Sequence, residues 1–513
     1  MNFNEIISVY FIGAGGIGMS ALIRYFHAKG KNVAGYDRTP SPLTDQLADE
    51  GVLIHFAEDM ALIPNEFLDK NKTLVVYSPA VPSSHKELVY FREHAFTVMK
   101  RAQALGLITA ASRCLCIAGT HGKTTTSSMA AHLLKQSKID CNAFLGGILK
   151  NYDSNLMLSE SNDLVVVEAD EYDRSFHFLT PYMAVITSAD PDHLDIYGDP
   201  GAYRESFEKF TSLIRPGGAL IMKKGILLTP SLQPDVQLFT YSATDESADF
   251  HATNIRTGNG EIIFDFVASP FHPFTPFTPF TLSPLQPFQP LSPLQPFHPF
   301  PPFQPLFLPD IQLGVPVRTN IENGVAAMAL ALLNGVTPDE IRTAMKTFAG
   351  AQRRFDFRVK NDKVVYIDDY AHHPVELQSS ILSVKELYQG HKVTGVFQPH
   401  LYTRTKDFAD EFASALSLLD RLILLDIYPA REEPIPGVSS NIIFDKATLQ
   451  DKTLCKKEDL MELLKSEDIE VLVTFGAGDI DRLVEPIQQM LESFQFSVPH
   501  KTHNLSHPSN NEN

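Results

Sequence analysis

Short apolar runs recur along the chain, spaced so that a helix fits between one and the next. They are residues 6–13 (IISVYFIG), 73–78 (TLVVYS), 114–119 (CLCIAG), 163–170 (DLVVVEAD), 183–190 (MAVITSAD), 363–370 (KVVYIDDY), 392–398 (KVTGVFQ), 422–428 (LILLDIY) and 470–478 (EVLVTFGAG). Runs of this length without polar alternation mark strands buried on both faces, so each is expected to be a parallel strand covered by helices. The alternation predicts an α/β fold. Nine such strands exceed one mononucleotide-binding sheet, and glycine-rich or acidic loops follow them in three separate blocks. Domain boundaries are therefore placed near 110 and 352, giving a first domain at 1–110, a central domain at 111–352 and a third at 353–497.

Residues 269–309 break this pattern. They hold fourteen of the 35 prolines, mostly at every third position, and no Asp, Glu, Lys or Arg. Proline at that density removes ladder donors and forbids helix, which leaves polyproline II or disorder. The stretch reads either as a docking segment for an aromatic-lined groove or, more simply, as a tandem expansion tolerated in a surface loop after a strand at 261–268 (EIIFDFVA). The polar tail at 498–513 is expected to be disordered.

Composition narrows the functional class. The chain has 513 residues, a formal net charge of −18 and 44% hydrophobic residues, long enough for three domains at roughly 100 to 200 residues each. Its acidic balance argues against a nucleic-acid partner, which would need clustered Lys and Arg. Cys114, Cys116, Cys141 and Cys455 form no CxxC pair or disulfide spacing, which points to a reducing, cytoplasmic location. The N-terminus has an early acidic residue and no basic n-region, so it reads as a strand and not a signal peptide. No run reaches the roughly 18 apolar residues of a spanning helix, so membrane insertion is not expected.

Candidate chemistry clusters at strand ends. Gly13, Gly15 and Gly18, with Gly16 and Ile17 between them, form GxGxxG directly after the first run, and Asp37 closes a second apolar run, NVAGYD. Such glycines let the backbone approach a pyrophosphate at a helix N-terminus. By itself the motif fits a dinucleotide, another nucleotide diphosphate or an empty tight turn. A second phosphate loop, Gly119, Thr120, His121, Gly122, Lys123, Thr124 and Thr125, again follows a strand and opens a helix. Lys123 would meet β- and γ-phosphates and Thr124 a Mg²⁺, although GxxxxGK[ST] is incomplete because Ile117 stands where its first glycine belongs. One nucleotide site per loop suggests two different nucleotides.

The acidic run 168–176 (EADEYDRSF) and the following 190–198 (DPDHLDIYG) read alone as solvated loops. Beside the lysine loop they read instead as a Mg²⁺ site bridging ATP and a second substrate. Further on, 353–358 (RRFDFR), 368–374 (DDYAHHP) and 397–405 (FQPHLYTRT) sit at strand edges. There Arg354 would stabilise a transferring phosphoryl group, and His400 with Arg404 would hold a small carboxylate. A zinc site at His372 and His373 is not expected, because adjacent residues splay apart.

Together GTHGKTTT, EADEYDRSF, DHLDIYG, DDYAHHP and FQPHLYTRT, in that order, resemble the Mur ligase family over nearly the whole chain outside the insert and tail. The resemblance implies a Rossmann-like first domain that binds a UDP-sugar, a central P-loop-type ATPase domain and a C-terminal Rossmann-like domain that binds an amino acid. It implies ATP-dependent ligation of L-alanine to the lactyl carboxylate of UDP-N-acetylmuramate through an acyl phosphate, as a monomer or homodimer. It assigns Lys123, Glu168, His193 and Arg354 to catalysis, Thr124 and Glu168 to one Mg²⁺, and Glu168 with His193 to a second. Asn320 and Asn323 would contact the nucleotide base, Arg354 and Asp369 would complete the ATP site, and Tyr370, His372, His400 and Arg404 would form the alanine pocket. Gly13, Gly15, Gly16, Ile17, Gly18 and Asp37 would serve the UDP-sugar. Two positions depart from the family pattern: Thr319 stands where a histidine is frequent, and Leu401 where an arginine is. A ligase that recycles a murein tripeptide onto the same sugar is the alternative, and a nicotinamide oxidoreductase is contradicted by the GKT triad.

Overall fold

In the computed structural model, which describes residues 6–258, 260–269, 305–430 and 432–493, each of the nine apolar runs forms a strand. The first sheet contains β1 (Ser8–Ile12), β2 (Asn32–Tyr36), β3 (Leu53–His55), β4 (Thr73–Tyr77) and β5 (Thr97–Lys100) in the order β3-β2-β1-β4-β5. All its pairings are parallel. Val9, Phe11, Leu74 and Val76 are fully buried against Leu22, Ile23 and Phe26 of the helix Ile17–Ala28, which is why these strands carry no polar alternation. Strand order reverses at β1 and β4, so the glycine loop after β1 and Ser78 after β4 flank the crevice where such sheets bind ligands.

The second sheet holds ten strands: β6 (Arg113–Ala118), β7 (Asn142–Leu149), β8 (Ser154–Met157), β9 (Leu164–Glu168), β10 (Pro181–Ile186), β11 (Ala219–Lys223), β12 (Gln237–Ser242), β13 (Phe250–Gly258), β14 (Glu261–Ala268) and β15 (Leu306–Gln312). Their order is β15-β14-β13-β12-β11-β10-β6-β9-β7-β8, parallel except where β13, β14 and β15 pair antiparallel at one edge and β7 and β8 at the other. The lysine loop follows β6, so β9 delivers Glu168 on one side of it and β10 delivers Thr187 and Ser188 on the other. The edge strands β8 and β15, and β13 near one edge, are part exposed and escape a search for continuous apolar runs.

The third sheet contains β16 (Asp356–Lys360), β17 (Val365–Asp369), β18 (Val393–Phe397), β19 (Arg421–Leu424), β20 (Lys452–Leu454) and β21 (Val471–Phe475) in the order β16-β17-β21-β18-β19-β20. Only β16 runs antiparallel. Contacts divide the chain into two compact units after Gln352, the first holding the first two sheets and the second holding the third. Expectations about residues 270–304 and the tail lie outside the described residues. The two strands that flank the insert pair with each other, Ala268 opposite Leu306. Among the described residues no helix is long and apolar enough to cross a membrane.

Candidate active site

The chain leaves β6 through two glycines in the left-handed region, Gly119 with φ 140° and Gly122 with φ 82°. A Cβ at Gly119 would sit 2.8 Å from the Ser188 amide nitrogen, and one at Gly122 2.7 Å from Asn323 Oδ1, so both positions are closed to larger residues. Gly122 caps the helix Lys123–Lys135 and leaves its first N–H groups aimed into the loop. Thr120 donates to the Asp190 carbonyl at 2.6 Å, the His121 amide donates to Ser188 Oγ at 2.8 Å, and Thr187 Oγ1 donates to the His121 carbonyl at 2.5 Å. The loop is thus fixed by the segment that follows β10. Asn320 and Asn323 stand on the helix Thr319–Leu333, joined at 3.1 Å, and Thr126 reaches Asn323 Oδ1 at 3.2 Å. Thr125 lies in the first turn of the lysine helix.

Lys123 Nζ donates to the Gly119 carbonyl at 2.6 Å and pairs with Glu171 at 2.8 Å. Burial opposes the lysine charge, but Glu171, Glu168 and Asp170 outweigh it and raise its pKa. Burial pushes the Glu171 carboxyl up to about 7 against the pull of Lys123. Glu168, the last residue of β9, accepts from Thr124 Oγ1 at 3.1 Å on one oxygen and from the Gly146 amide at 3.1 Å on the other. Thr124 and Glu168 therefore form a hydroxyl–carboxylate pair of hard oxygens at the mouth of the phosphate loop, the donor set that Mg²⁺ prefers. His193 instead packs edge-on to Tyr172, ring centroids 5.2 Å apart, with Nε2 3.7 Å from Asp192. Among the described residues no three His, Cys, Asp or Glu side chains are already grouped as a metal site.

The glycine loop of the first sheet faces this cluster. Asp37 Oδ2 accepts from the Gly15 amide at 2.6 Å and Oδ1 from the Thr39 amide at 3.1 Å, which fixes the loop. Gly13 has φ 88° and Gly16 caps the helix that starts at Ile17. A cavity of about 290 Å³ is lined by Gly16, Ile17, Gly18 and Arg101 on this side and by Gly146 and Glu168 on the other. The glycine loop thus opens on the same space as Glu168, the carboxylate that accepts from Thr124 of the lysine loop.

In the second unit, Asp369 ends β17 and is buried, accepting from Ser380 Oγ at 2.6 Å; burial pushes its carboxyl up to about 6, although Ser380 and Arg354 pull it back. Tyr370 carries Arg354 over its ring at 4.9 Å and meets the His372 ring edge-on at 5.1 Å. His372 lies 6.1 Å from the His400 ring, and burial keeps its imidazole below the usual pKa. Arg404 stands in the helix Tyr402–Asp407, which follows Leu401; that leucine holds φ 71°, a conformation that disfavours a side chain.

Several residues of this geometry are not distinguished in the sequence. Glu171 belongs to a run of carboxylates, and only the fold separates it, buried on Lys123, from Asp170 on Arg101 and Asp173 on Lys100. Arg101 opens a helix at the end of β5, a position at which a basic residue beside the glycine loop is a usable signal. Gly146 and Ser188 give none. Of the paired arginines, Arg353 is the structural one: its Nε donates to the fully buried Asp368 at 3.0 Å and its Nη2 to the Gly476 carbonyl at 2.7 Å.

Residues 8–113 match the model of the Mur ligase family catalytic domain, 117–280 the Mur ligase middle domain, and 353–478 the Mur ligase glutamate ligase domain. A UDP-N-acetylmuramate–L-alanine ligase of Parabacteroides distasonis is 63% identical over 96% of this chain and 98% of its own length. One from Phocaeicola vulgatus is 58% identical over 96% and 99%. The crystal structure of a UDP-N-acetylmuramate–alanine ligase from Thermotoga maritima superposes with TM-score 0.74 at 25% identity, covering 96% of this chain and all of that one. A murein peptide ligase from Psychrobacter arcticus shares the fold at TM-score 0.63 and 19% identity, covering 96% of this chain and 99% of that one.

Proposed function

The chain belongs to the Mur ligase family, and on that footing we infer that it joins L-alanine to the lactyl carboxylate of UDP-N-acetylmuramate, driven by ATP, in peptidoglycan precursor synthesis. The observation that carries this reading is the cavity in which the glycine loop faces Glu168 and, through it, Thr124 of the lysine loop. A UDP-sugar held by Gly13, Gly15, Gly16, Ile17, Gly18 and the loop fixed by Asp37 would place its carboxylate toward the γ-phosphate of ATP.

A free carboxylate is a poor acyl donor. Its oxygen attacks the γ-phosphorus, the bond to ADP breaks, and the resulting acyl phosphate loses phosphate when the alanine amine attacks the carbonyl and gives up a proton. Gly119, Thr120, His121, Gly122 and Thr125 cradle the phosphates, and Lys123 neutralises the β- and γ-oxygens; its pairing with Glu171 holds it charged and in place. Asn320 and Asn323 serve the base, and Arg354 with Asp369 serve ATP. Tyr370, His372, His400 and Arg404 take the alanine, with the carboxylate on Arg404. Thr124 and Glu168 would hold one Mg²⁺, and Glu168 with His193 a second. Bound there, Mg²⁺ would shield the negative charge that opposes attack of one anion on another. We assign residues 1–110 to the UDP-sugar, 111–352 to ATP and 353–497 to the amino acid, and place the enzyme in the cytoplasm, where its nucleotide substrates are.

The test is phosphate release from ATP by purified protein with Mg²⁺, UDP-N-acetylmuramate and each acceptor, added singly and together. Release that requires both the UDP-sugar and L-alanine is expected. Release that requires a murein tripeptide in place of alanine would transfer the reading to the recycling ligase.

A further inference from the structure

The first two sheets meet along a seam that buries a side-chain amide completely. Asn155, on β8, has no exposed surface. Its Nδ2 donates to the Ile17 carbonyl at 2.5 Å and to Ser20 Oγ at 3.0 Å, and its Oδ1 accepts from Arg24 Nη1 at 2.8 Å. All three partners lie on the helix Ile17–Ala28 that opens at the glycine loop. Arg24 is oriented in turn by Glu50, whose two oxygens accept from its Nε at 2.9 Å. Burying an amide costs free energy unless its hydrogen-bonding groups find partners, and here both donors and the acceptor find theirs on one helix.

The other side of the same hairpin reaches the reacting groups. β7 pairs with β8, placing Phe144 opposite Leu156, and β7 also pairs with β9, placing Phe144 opposite Val167. Two residues beyond Phe144, the Gly146 amide holds Glu168, which accepts from Thr124. The apolar part of the seam, Phe144 against Tyr25 at 5.4 Å, is non-directional and tolerates sliding. The three hydrogen bonds of Asn155 do not, because each is lost within a fraction of an ångström.

Resting on the reading given under Proposed function, we propose that Asn155 is a positioning residue that sets the spacing between the UDP-sugar loop and the Glu168–Thr124 end of the phosphate loop. It touches neither substrate. It acts through the β7–β8 hairpin, a spacer with Ile17 at one end and Gly146 at the other.

The experiment compares Asn155→Leu and the milder Asn155→Ser, which keeps one hydroxyl donor, with the parent protein in the phosphate-release assay. Turnover of the parent protein reports on the ligase reading alone; the ratio of variant to parent reports on Asn155, whichever acceptor works. The expected result is a kcat lower by about 10- to 100-fold with KM for ATP unchanged within twofold, as for a reactant misplaced by up to an ångström. Amide exchange supplies a readout independent of turnover. Adding UDP-N-acetylmuramate should raise protection at both the glycine loop and Gly146 in the parent, but only at the glycine loop in the variants. A merely structural role would lower the melting temperature while leaving kcat and the exchange response intact, and that outcome overturns the proposal. Should Asn155→Leu fail to fold, the same two readouts on Asn155→Ser decide it.

Discussion

Replacing Gly146 by alanine tests the geometry of Glu168 without altering any charged group. Gly146 is outside the left-handed region, so alanine meets no backbone penalty there, yet its Cβ would sit 2.5 Å from the Glu168 Cδ. Carbon atoms pack at about 3.5 to 4.0 Å, so the carboxylate must retreat by roughly 1 Å or more. That retreat lengthens the Gly146 amide bond to Oε2 and the Thr124 hydroxyl bond to Oε1, both 3.1 Å in the parent. Hydrogen bonds to a charged group contribute about 1.5 to 3 kcal/mol each, and a misplacement of ~1 Å at a reacting centre lowers turnover by about 100-fold. Gly146→Ala is therefore expected to reduce kcat by about 100-fold. ATP binding should persist, since Lys123, Gly119 and Gly122 are not displaced. Steady-state phosphate release gives kcat, titration with a non-hydrolysable ATP analogue gives binding, and thermal melting shows that the fold is kept. Because alanine and Glu168 act at one point, adding Gly146→Ala to Glu168→Gln should cause little further loss. A folded Gly146→Ala protein with kcat within threefold of the parent would refute the placement of Glu168 argued here.

Other perturbations separate structural from chemical roles. Glu87 is buried against Tyr10, whose hydroxyl donates to it at 2.8 Å, and burial pushes its carboxyl from 4.5 to about 7. It binds its proton more tightly folded than unfolded, so its stabilising contribution is complete below pH 4.5 and disappears as pH rises toward 7. Urea melts of the parent and Glu87→Gln should diverge across that window by at most roughly 3 kcal/mol, the variant gaining; a pH-independent gap would contradict this. Arg353→Ala leaves the buried Asp368 without its cationic partner and is expected to cost about 3 kcal/mol of stability in denaturant melts, whereas Arg354→Ala, whose guanidinium lies over Tyr370, should lower turnover with a nearly unchanged melt. Joining Ser269 to Pro305 by a short turn in place of 270–304 should leave ligation intact, because Ala268 and Leu306 are already paired across β14 and β15; loss of activity in a folded deletion protein would give the insert a role.

The α/β class, the two phosphate loops and the order of motifs are legible in the sequence because each depends on local chemistry. A strand buried on both faces needs a continuous apolar run, as in LVVVE at 164–168, and a loop that brings backbone close to phosphate needs glycine, as at Gly119 and Gly122. Strands at or near an edge, such as β15 and β13, carry mixed patterns because they are part exposed, and they escape the same search. Roles that depend on a partner distant in the chain are a different matter. Glu171, Asp170 and Asp173 are equivalent carboxylates in one run; the strand order that sets β9 beside β6 buries the first on Lys123 and leaves the others to Arg101 and Lys100. Arg353 and Arg354 are neighbours of one type, and the course of β17 beside β21 sends the first to Asp368 and the Gly476 carbonyl. Gly146 and Asn155 look like ordinary hairpin residues until the second sheet packs on the helix of the first. Side-chain periodicity and backbone conformation are encoded within a few residues, whereas distances between strand ends follow from which strands pair, and that pairing is settled by the whole core at once.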